Sequence, residues 1–346
     1  MNGTDPLGLI GNSFGGYNVA GYCGSGAFAY VYRATQPGTT ASVALKILNP
    51  RAGAEQMLEF ENEGTLLFKL SGCRAVVDII ESSEELTQVS ASGGVAFPVR
   101  LRFHVLRLAD GCLDELVADV SALDWPSRLS LLRNLVLGVH QMHGKGLVHR
   151  DLKAANSLLF LTTDGVEARV ADLGRSRDLA ENPQVSPRRY QSTRGDPNFA
   201  PPELLWALGE DRPIVHRCAD LYGLGSLLFE LTLGQSITAI ALFPHSTIFM
   251  ADYSLDPQQR LLSYRSRIPE IRSWFEPSFE LFEAATPASL RPQAGQLIRQ
   301  LCDPDPMKRL PQTKPGRRGE RLDGLNWLLR RVDILRLTLN NNLRQQ

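Results

Sequence analysis

The pattern of apolar and polar positions predicts a mainly stranded first part of the chain and a mainly helical second part. Strand-like runs begin at Tyr17, Ser42 and Val95, and after Ser42 the run is apolar apart from one lysine. Apolar residues at helical spacing fill Gln56 to Leu70 and residues 127–143. The second of these helices is apolar on more than one face, which predicts that it is buried.

Polar stretches separate the predicted strands of the first part. Val76 to Ile80 and Val95 to Leu108 are predicted as strands, and the Glu- and Ser-rich residues 81–94 as a loop or loose hairpin. Residues 1–16 are rich in Gly and Asn, which predicts a loose segment before the fold.

Composition restricts the class of protein more than its function. The 346 residues are 43% hydrophobic and 21% charged, which is typical of a globular protein with a sizeable core. The 37 basic residues balance 37 acidic ones, so no global field indicates nucleic acid or a membrane as a partner. No signal peptide is predicted, because the N-terminus lacks a basic region followed by an apolar run. No membrane span is predicted, because no apolar run is long enough to cross a bilayer.

The cysteines indicate the redox compartment. All five are widely scattered, their number is odd, and no C-x-x-C pair occurs. This pattern predicts a reduced, cytoplasmic location better than a disulfide framework or a zinc site.

The segment from Leu147 to Asn156 carries the strongest chemical signal. It reads LVHRDLKAAN, with Asp151 and Asn156 five positions apart and Lys153 between them. Phosphoryl transfer needs a carboxylate that accepts the proton of the incoming hydroxyl, and an oxygen ligand for Mg²⁺ on the same loop. All five fixed positions of the H-R-D-x-K-x-x-N catalytic loop are matched, so a solvated loop of mixed charge is the weaker interpretation.

Two earlier motifs fit a phosphate-binding role. Gly24 and Gly26 lie in a predicted hairpin, where glycine lets backbone amides approach phosphate oxygens. About twenty residues later, Lys46 interrupts the apolar strand from Ser42 to Leu48. A lysine in an apolar strand is costly without partners, so it is either an edge-strand lysine kept for solubility or a phosphate-binding lysine. The order of the motifs favours the second interpretation.

The predicted helix at Gln56 to Leu70 offers three acids as the partner of Lys46. Glu59, Glu61 and Glu63 compete for that role, and the apolar stretch that follows Glu63 favours it. After the catalytic loop, a second predicted hairpin ends in Asp172-Leu173-Gly174, a variant of the D-F-G metal motif.

On these motifs the chain resembles the eukaryotic-like (Hanks-type) protein Ser/Thr kinases, from about Tyr17 to Arg309. Glu203, Asp220 and Arg309 match further positions of that family. The resemblance implies an α+β, bilobal protein-kinase fold with a small β-rich lobe containing one main helix and a larger, mostly helical lobe. The implied division is a flexible N-terminus at 1–16, an N-lobe at 17–109, a C-lobe at 110–312 and a basic helical tail at 313–346.

The resemblance also implies the ligands and the site residues. ATP and Mg²⁺ are the implied cofactors, and a protein carrying Ser or Thr is the implied substrate. Asp151 and Lys153 are implied to be catalytic, and Asn156 and Asp172 to bind the metal. The implied nucleotide contacts are Gly24, Gly26, Val31, Ala44, Lys46 with Glu63, and the backbone of Arg107 and Ala109.

Besides Leu173 in the D-F-G variant, the sequence departs from the family at Ala29 and Asp196. Ala29 replaces the third glycine of the Gly-rich loop, which is the smallest possible change. Asp196 stands where the family has a threonine, and it could either pair with Lys153 or crowd Asp151 with like charge. Because of Asp196, a pseudokinase scaffold and a kinase-fold enzyme with a non-protein substrate stay open beside an active protein kinase.

Three further segments suggest regulation. Ser192 or Thr193 is predicted to be self-phosphorylated, with Arg150 receiving the phosphate. One alternative is that these hydroxyls only solvate a loop. The other is that Asp196 supplies a fixed negative charge, which makes phosphorylation unnecessary. The aromatic-rich residues 234–280 are predicted to be a helical insertion or a partner surface. The tail has eight basic and three acidic residues, and its helical pattern favours a helix docked on the large lobe over a partner- or membrane-binding helix.

Overall fold

The computed structural model of the protein describes residues 5–26, 28–90, 96–181, 195–210, 212–311 and 324–343. Contacts divide the chain into two units. The first unit comprises residues 1–110 together with 172–174, and the second comprises residues 111–171 and 175–346. The first is β-rich and the second mostly helical, which confirms the α+β fold class. The division after residue 110 lies one residue from the predicted boundary.

An antiparallel sheet of six strands forms most of the first unit, in the order β1-β2-β3-β4-β6-β5. Strand β4, which carries Lys46, lies between β3 and β6 and is not an edge strand. The elements of this unit are β1 (Ser13–Phe14), β2 (Tyr17–Ser25), β3 (Ala29–Thr35), β4 (Ser42–Leu48), α1 (Ala54–Lys69), β5 (Ile79–Ser90) and β6 (Ala96–Arg107).

Helix α1 begins with a backbone amide satisfied by a side chain. The N–H of Gly53 donates to the side-chain oxygen of Gln56 at 2.8 Å, which supplies one of the partners that a helix start lacks. Phe60, Gly64 and Leu67 follow at spacings of four and three and are all buried. One face of α1 is therefore packed, as the apolar spacing predicts.

Two predictions for the first unit are wrong. Residues 5–16 are not loose: Leu7, Leu9 and Phe14 belong to the core of the unit, and β1 pairs with β2. Residues 81–94 are predicted as a loop or loose hairpin, and the loop is wrong: residues 81–90 continue strand β5, which pairs antiparallel with β6 from Ile79 onward, as in a hairpin. Residues 91–95 lie outside the described part of the chain. Backbone pairing, which needs no apolar alternation, explains the second error.

The second unit contains most of the helices. Its strands are short: β9 pairs with β10 and β7, and β8 with β11. The elements are β7 (Gly111–Cys112), α2 (Leu113–Val117), α3 (Trp125–Gly144), β8 (Leu147–Val148), β9 (Ser157–Thr162), β10 (Gly165–Val170), β11 (Arg177–Asp178), α4 (Pro202–Leu205), α5 (Pro213–Leu233), α6 (Ile237–Leu242), α7 (Ser246–Asp252), α8 (Pro257–Ala285), α9 (Arg291–Leu301) and α10 (Asn326–Leu343).

Helix α5 is the central helix of the second unit. It begins with Pro213, whose missing N–H costs nothing in the first turn, and ends before Gly234, which has a φ of 70°. Nearly all of its side chains are buried, including Asp220 and Glu230. Two carboxylates in a core helix indicate polar partners nearby, because a buried charge is costly alone.

Helix α10 packs on α3, as the preferred interpretation of the tail predicts. Leu328, Val332 and Leu335 are buried, and the Arg133 side chain donates to Asp333 at 2.6 Å. The backbone N–H of Leu325 donates to Nδ1 of His140 at 2.9 Å. The described part of the tail is therefore a docked helix.

The aromatic-rich segment 234–280 forms α6, α7 and most of α8. Trp206 is fully buried beside Phe249 and Tyr264 of this segment, so many of its aromatic residues serve the core. A role as a partner surface stays a prediction. In the described ranges no single helix has the length and apolar character to cross a bilayer, although one bent pair, Pro213–Leu233 with Ile237–Asp252, does by length and composition.

Candidate active site

Lys46 is the centre of a charge cluster in the first unit. Its Nζ lies 2.5 Å from Oε2 of Glu63 and 3.4 Å from Oδ1 of Asp172. The side chain of Glu63 is only 1% exposed, whereas that of Asp172 is 43% exposed. A central-strand lysine with two carboxylate partners excludes the edge-strand interpretation of Lys46.

The electrostatics of this cluster keep Lys46 charged. Burial alone would lower the pKa of the Lys46 ammonium, but the charges of Asp172 and Glu63 outweigh that effect and raise the pKa. The lysine is therefore a fixed positive charge at neutral pH, which a phosphate-binding role requires.

The other two acids on α1 have different surroundings. Glu61 forms an ion pair with Arg102 on β6, and its side chain is half exposed. Glu59 is buried, and its backbone carbonyl lies near Gly174, where an added Cβ would approach it to 3.2 Å. Of the three candidates, Glu63 is the one that contacts Lys46.

The backbone around Asp172 is held in an uncommon conformation. Asp172 has a φ of 59°, in the left-handed region that non-glycine residues seldom adopt. The side-chain amide of Asn62 on α1 donates to the carbonyl of Gly174 at 3.0 Å. Such strained residues are found preferentially at functional sites, where surrounding contacts hold them.

Packing does not explain the glycines at positions 24 and 26 of the Gly-rich hairpin. A Cβ added at Gly24 or Gly26 would meet no atom of the described chain. Gly24 has a φ of 156°, whereas Gly26 keeps an ordinary φ and its N–H donates to the carbonyl of Ala29 at 2.9 Å. Open space above Gly26 fits a backbone that a ligand approaches closely.

The remaining predicted nucleotide contacts lie on β3, β4 and at the end of β6. Val31 pairs with both Gly24 and Lys46 across neighbouring strands, and Ala44 is buried opposite Leu106. The N–H of Arg107 donates to the carbonyl of Asp78 at 3.0 Å, and Ala109 follows two residues later. A nucleotide contact at these four residues stays a prediction.

Asp220 holds the catalytic loop of the second unit. Its carboxylate accepts hydrogen bonds from the backbone N–H groups of His149, at 2.9 Å, and Arg150, at 2.7 Å. His143 contacts the same carboxylate at 2.9 Å. Arg150 has a φ of 71°, a left-handed conformation that these two bonds stabilise. Asp220 therefore fixes the turn that precedes Asp151.

His149 and Asn156 complete the support of Asp151 from within the loop. Nε2 of His149 lies 3.0 Å from the carbonyl of Ala171, which can only accept, so Nδ1 accepts from the N–H of Asp151 at 3.2 Å. The side-chain amide of Asn156 donates to the backbone carbonyl of Asp151 at 2.7 Å and to its Oδ2 at 3.2 Å. This orientation turns the amide nitrogen of Asn156 toward Asp151 and leaves its oxygen as the atom suited to a cation.

Two contacts of this loop are absent from the sequence prediction. Arg175 donates to Oδ2 of Asp151 at 3.2 Å, and Glu230 accepts from the N–H of Ala154 at 3.0 Å. Burial raises the pKa of the Glu230 carboxyl to about 7. In the sequence, only the position of Arg175 directly after Gly174 indicates its contact with Asp151. No spacing along the chain indicates the contact of Glu230 with Ala154.

Asp196 pairs with Lys153. Its Oδ2 lies 3.4 Å from Nζ of Lys153, whereas its Oδ1 accepts from the N–H of Asn198. The backbone N–H of Asp196 donates to Oδ1 of Asp151 at 3.2 Å. Asp196 therefore presents a backbone donor, not its charge, to the carboxylate of Asp151.

Glu203 and Arg309 form a buried ion pair. Nη1 and Nη2 of Arg309 donate to the two carboxylate oxygens of Glu203, each at 2.7 Å, and the Arg309 side chain is fully buried. Two parallel bonds between planar groups are the strongest geometry for such a pair.

Comparison with known proteins agrees with these features. The family model described as protein kinase domain matches residues 17–314, which is most of the chain. The chain belongs to the protein kinase family. Lys46, Asp151, Asn156 and Asp172 of this protein kinase domain all lie within the matched range, and so do Glu203 and Arg309.

Similar proteins are named as Ser/Thr kinases. The serine/threonine-protein kinase PknK of Mycobacterium bovis is 28% identical over 221 residues, 64% of this kinase chain and 18% of the relative. The serine/threonine-protein kinase fused of Drosophila melanogaster is 28% identical over 220 residues, 63% of the chain and 24% of the relative. The inactive serine/threonine-protein kinase PLK5 of Mus musculus is 27% identical over 294 residues, 83% of the chain and 39% of the relative. The chain thus spans less than two fifths of the length of each.

Proposed function

We propose that this protein is an ATP- and Mg²⁺-dependent kinase that transfers the γ-phosphate of ATP to Ser or Thr hydroxyls of protein substrates. The observation that carries the proposal is the ion pair of Lys46 with Glu63 beside Asp172. Holding three charges together in a half-buried position is costly for folding, and replacing such groups with apolar ones is often neutral or stabilising. A phosphate-binding role explains the cluster better than stability does.

The donor atoms fit Mg²⁺ bound together with a nucleotide. Mg²⁺ prefers oxygen ligands and usually takes only one or two from the protein, the rest coming from phosphates and water. Asp172 offers a half-exposed carboxylate, and Asn156 offers a side-chain oxygen. No group of three or more His, Cys, Asp and Glu side chains suited to a metal occurs within the described ranges, which agrees with a metal that arrives with phosphate. When bound, Mg²⁺ neutralises phosphate charge.

The residues of the chain then have separate tasks in the transfer. Lys46 holds the α- and β-phosphates, and Glu63 orients Lys46. Asp151 accepts the proton of the substrate hydroxyl, whose oxygen forms a bond to the γ-phosphorus while the bond from that phosphorus to ADP breaks. Lys153 offsets charge on the γ-phosphate. Positioning and electrostatic stabilisation supply most of the catalysis, because the transition state is loose.

A radiolabelled ATP assay tests the proposal. The protein is incubated with labelled ATP, Mg²⁺ and a generic Ser/Thr protein substrate, beside the variant Asp151→Asn. We expect label in the substrate with the wild type and almost none with Asp151→Asn. A wild type without transfer to any protein, although it is folded by circular dichroism, would refute the proposal.

Matched pairs of variants test the individual roles. Lys46→Met is expected to lose turnover, whereas Lys145→Met changes an exposed lysine and is expected to keep it. Asp172→Asn is expected to lose metal-dependent transfer with the fold intact, whereas Asp164→Asn makes the same change in an exposed turn. If Lys46→Met were as active as Lys145→Met, the role assigned to Lys46 would be excluded. Equal activity of Asp172→Asn and Asp164→Asn would likewise exclude the role assigned to Asp172.

Nucleotide binding without transfer is the second candidate function. Two ion pairs within the second unit favour it, Asp151 with Arg175 and Lys153 with Asp196. Each pair engages a side chain that transfer would need for the substrate. One relative is named as inactive, which is a statement about that relative alone. A rise in melting temperature with Mg²⁺-ATP, without any transfer in the labelled assay, would favour this candidate.

We infer that Ser192 or Thr193 is self-phosphorylated and that Arg150 receives the phosphate. Both hydroxyl residues lie outside the described part of the chain. Support comes from the arginines around them in the sequence and from the charge and acceptor oxygens that a phosphate would add. Mass spectrometry after incubation with ATP, with Asp151→Asn as control, tests this. A fully active Ser192→Ala/Thr193→Ala variant would exclude the switch.

A cytoplasmic location is also part of the proposal. All five cysteines are free, which suits a reducing compartment. Fractionation of cells that express the protein tests the location, and recovery outside the cytoplasmic fraction would contradict it.

A further inference from the structure

We propose that His104 is a positioning residue for the Lys46–Glu63 pair, because its ring connects helix α1 to the sheet that carries Lys46. The proposal rests on the proposed function only through the role of Lys46. The residues that carry it all belong to the first unit: His104 and Ser82 on the sheet, and Phe60 and Gly64 on α1.

His104 lies directly opposite Lys46 on the neighbouring strand and is 2% exposed. Directly opposite residues of an antiparallel pair point to the same face of a sheet, which here is the face that α1 covers. The lysine and the histidine are therefore neighbours beneath the helix that supplies Glu63.

Both nitrogens of the His104 ring have partners. Nε2 lies 2.9 Å from the backbone carbonyl of Phe60, and Nδ1 lies 2.9 Å from Oγ of Ser82. A carbonyl oxygen only accepts, so Nε2 carries the hydrogen and Nδ1 accepts from the Ser82 hydroxyl. Burial lowers the pKa of His104 to about 4, so the neutral ring that this arrangement needs is present at neutral pH. The ring thus joins α1 to strand β5 through β6.

The fit of the ring restricts where the helix can lie. The rings of His104 and Phe60 are stacked, with centroids 4.0 Å apart and planes at 8°. A Cβ added at Gly64 would come within 2.6 Å of Cε1 of His104 and 3.2 Å of Ser82 Oγ. Glycine inside a helix costs stability relative to alanine, so its presence at position 64 is explained by this close approach.

Glu63 lies between the two helix residues that contact the ring. It follows Phe60 by three positions and directly precedes Gly64. A shift or rotation of α1 that separated Phe60 and Gly64 from His104 would also move the Glu63 carboxylate away from Lys46. His104 therefore acts on the lysine through the helix.

The variant His104→Phe separates this role from simple packing, because phenylalanine retains an aromatic ring for the stack on Phe60 and removes both hydrogen bonds. We expect the variant to fold. Its kcat/KM for ATP should be about ten-fold lower than that of the wild type, a size typical of coupling between residues in contact. Mg²⁺-ATP should also raise its melting temperature less than that of the wild type. His140→Phe is the matched control on α3. It loses the hydrogen bond from Leu325 and is expected to keep wild-type kcat and KM.

Two double-mutant cycles decide the question. Lys46→Met is expected to cost much less in His104→Phe than in the wild type, because the lysine is already misplaced there. Gly64→Ala is expected to be harmful alone and nearly neutral in His104→Ala, where the ring that an alanine would overlap is gone. Additive effects in both cycles, or wild-type kinetics of a folded His104→Phe, would overturn the proposal. A wild type without any transfer would instead refute the proposed function, and the nucleotide-induced melting shift would still report on His104.

Discussion

Lys153 and Asp196 form an ion pair, with 3.4 Å between Nζ and Oδ2. This contact decides between the two possibilities that the sequence leaves open for Asp196, because its carboxylate faces the lysine while its backbone N–H serves Asp151. The charge of Lys153 is therefore shared between Asp196 and any phosphate that binds there.

The variant Asp196→Asn removes the charge and keeps an oxygen that can accept from the N–H of Asn198. We expect faster transfer by less than about five-fold, because a partly exposed ion pair contributes up to about 1 kcal/mol. The KM of the peptide substrate should change more than the KM of ATP. Steady-state kinetics with both substrates measure this.

Asp256→Asn is the control, because the Asp256 side chain also accepts from backbone N–H groups, those of Gln258 and Gln259 at the start of α8. A loss of activity beyond about a hundred-fold in Asp196→Asn would mean that Asp196 takes part in the chemistry, since no surface pair has that value.

The pair of Glu203 and Arg309 predicts a large effect on stability. Arg309→Ala strands the buried Glu203 carboxylate, which costs on the order of 3–5 kcal/mol. Differential scanning calorimetry should show a lower melting temperature, by on the order of 10 °C.

Arg299→Ala provides the contrast, because Arg299 pairs with the partly exposed Glu276 and Glu283. Its removal should cost about 1 kcal/mol or less. Similar melting curves for the two arginine variants would mean that the buried pair contributes no more than the exposed one.

The sequence predicts those site residues that a short local pattern defines. Asp151, Asn156 and Asp172 each belong to a compact motif, so their positions can be read without knowing the fold. The contacts of Arg175 and Glu230 join positions 24 and 76 residues apart, and no spacing along the chain reports them. Such partners become visible only when the chain is folded.

The errors in the predicted fold have a related cause. Leu7 and Leu9 stand among glycines and polar residues, and only packing against the sheet makes them core residues. Strand β5 is polar over most of its length and lies at the edge of the sheet, so backbone hydrogen bonds define it rather than an apolar face. Local patterns do not contain that information.

Glu230 predicts a dependence of stability on pH. Its pKa is raised by burial from an ordinary 4.5 to about 7 in the folded state. A raised pKa means that the folded state binds the proton more tightly, so this contribution to stability is complete below pH 4.5 and is lost as the pH rises to 7. The free energy of unfolding of the wild type should therefore fall between pH 5 and 7 relative to Glu230→Gln, by at most about 1.4 kcal/mol per pH unit.

Urea unfolding at a series of pH values measures this difference. Glu115→Gln makes the same substitution at an exposed position of α2 and controls for the loss of one charge. Parallel pH profiles for the wild type and Glu230→Gln would show that Glu230 is ionised in the folded protein at pH 5.

The docked helix α10 gives the last prediction, in which two leucines on the same helix are compared. Leu328 is 1% exposed, whereas Leu337 is 61% exposed. Leu328→Ala leaves a cavity and should cost about 2–5 kcal/mol, whereas Leu337→Ala should cost about 0.5 kcal/mol or less. Both changes remove the same atoms from the same helix, so propensity cancels in the comparison. Urea unfolding of the full chain measures both free energies, and equal values would mean that α10 does not stay docked in solution.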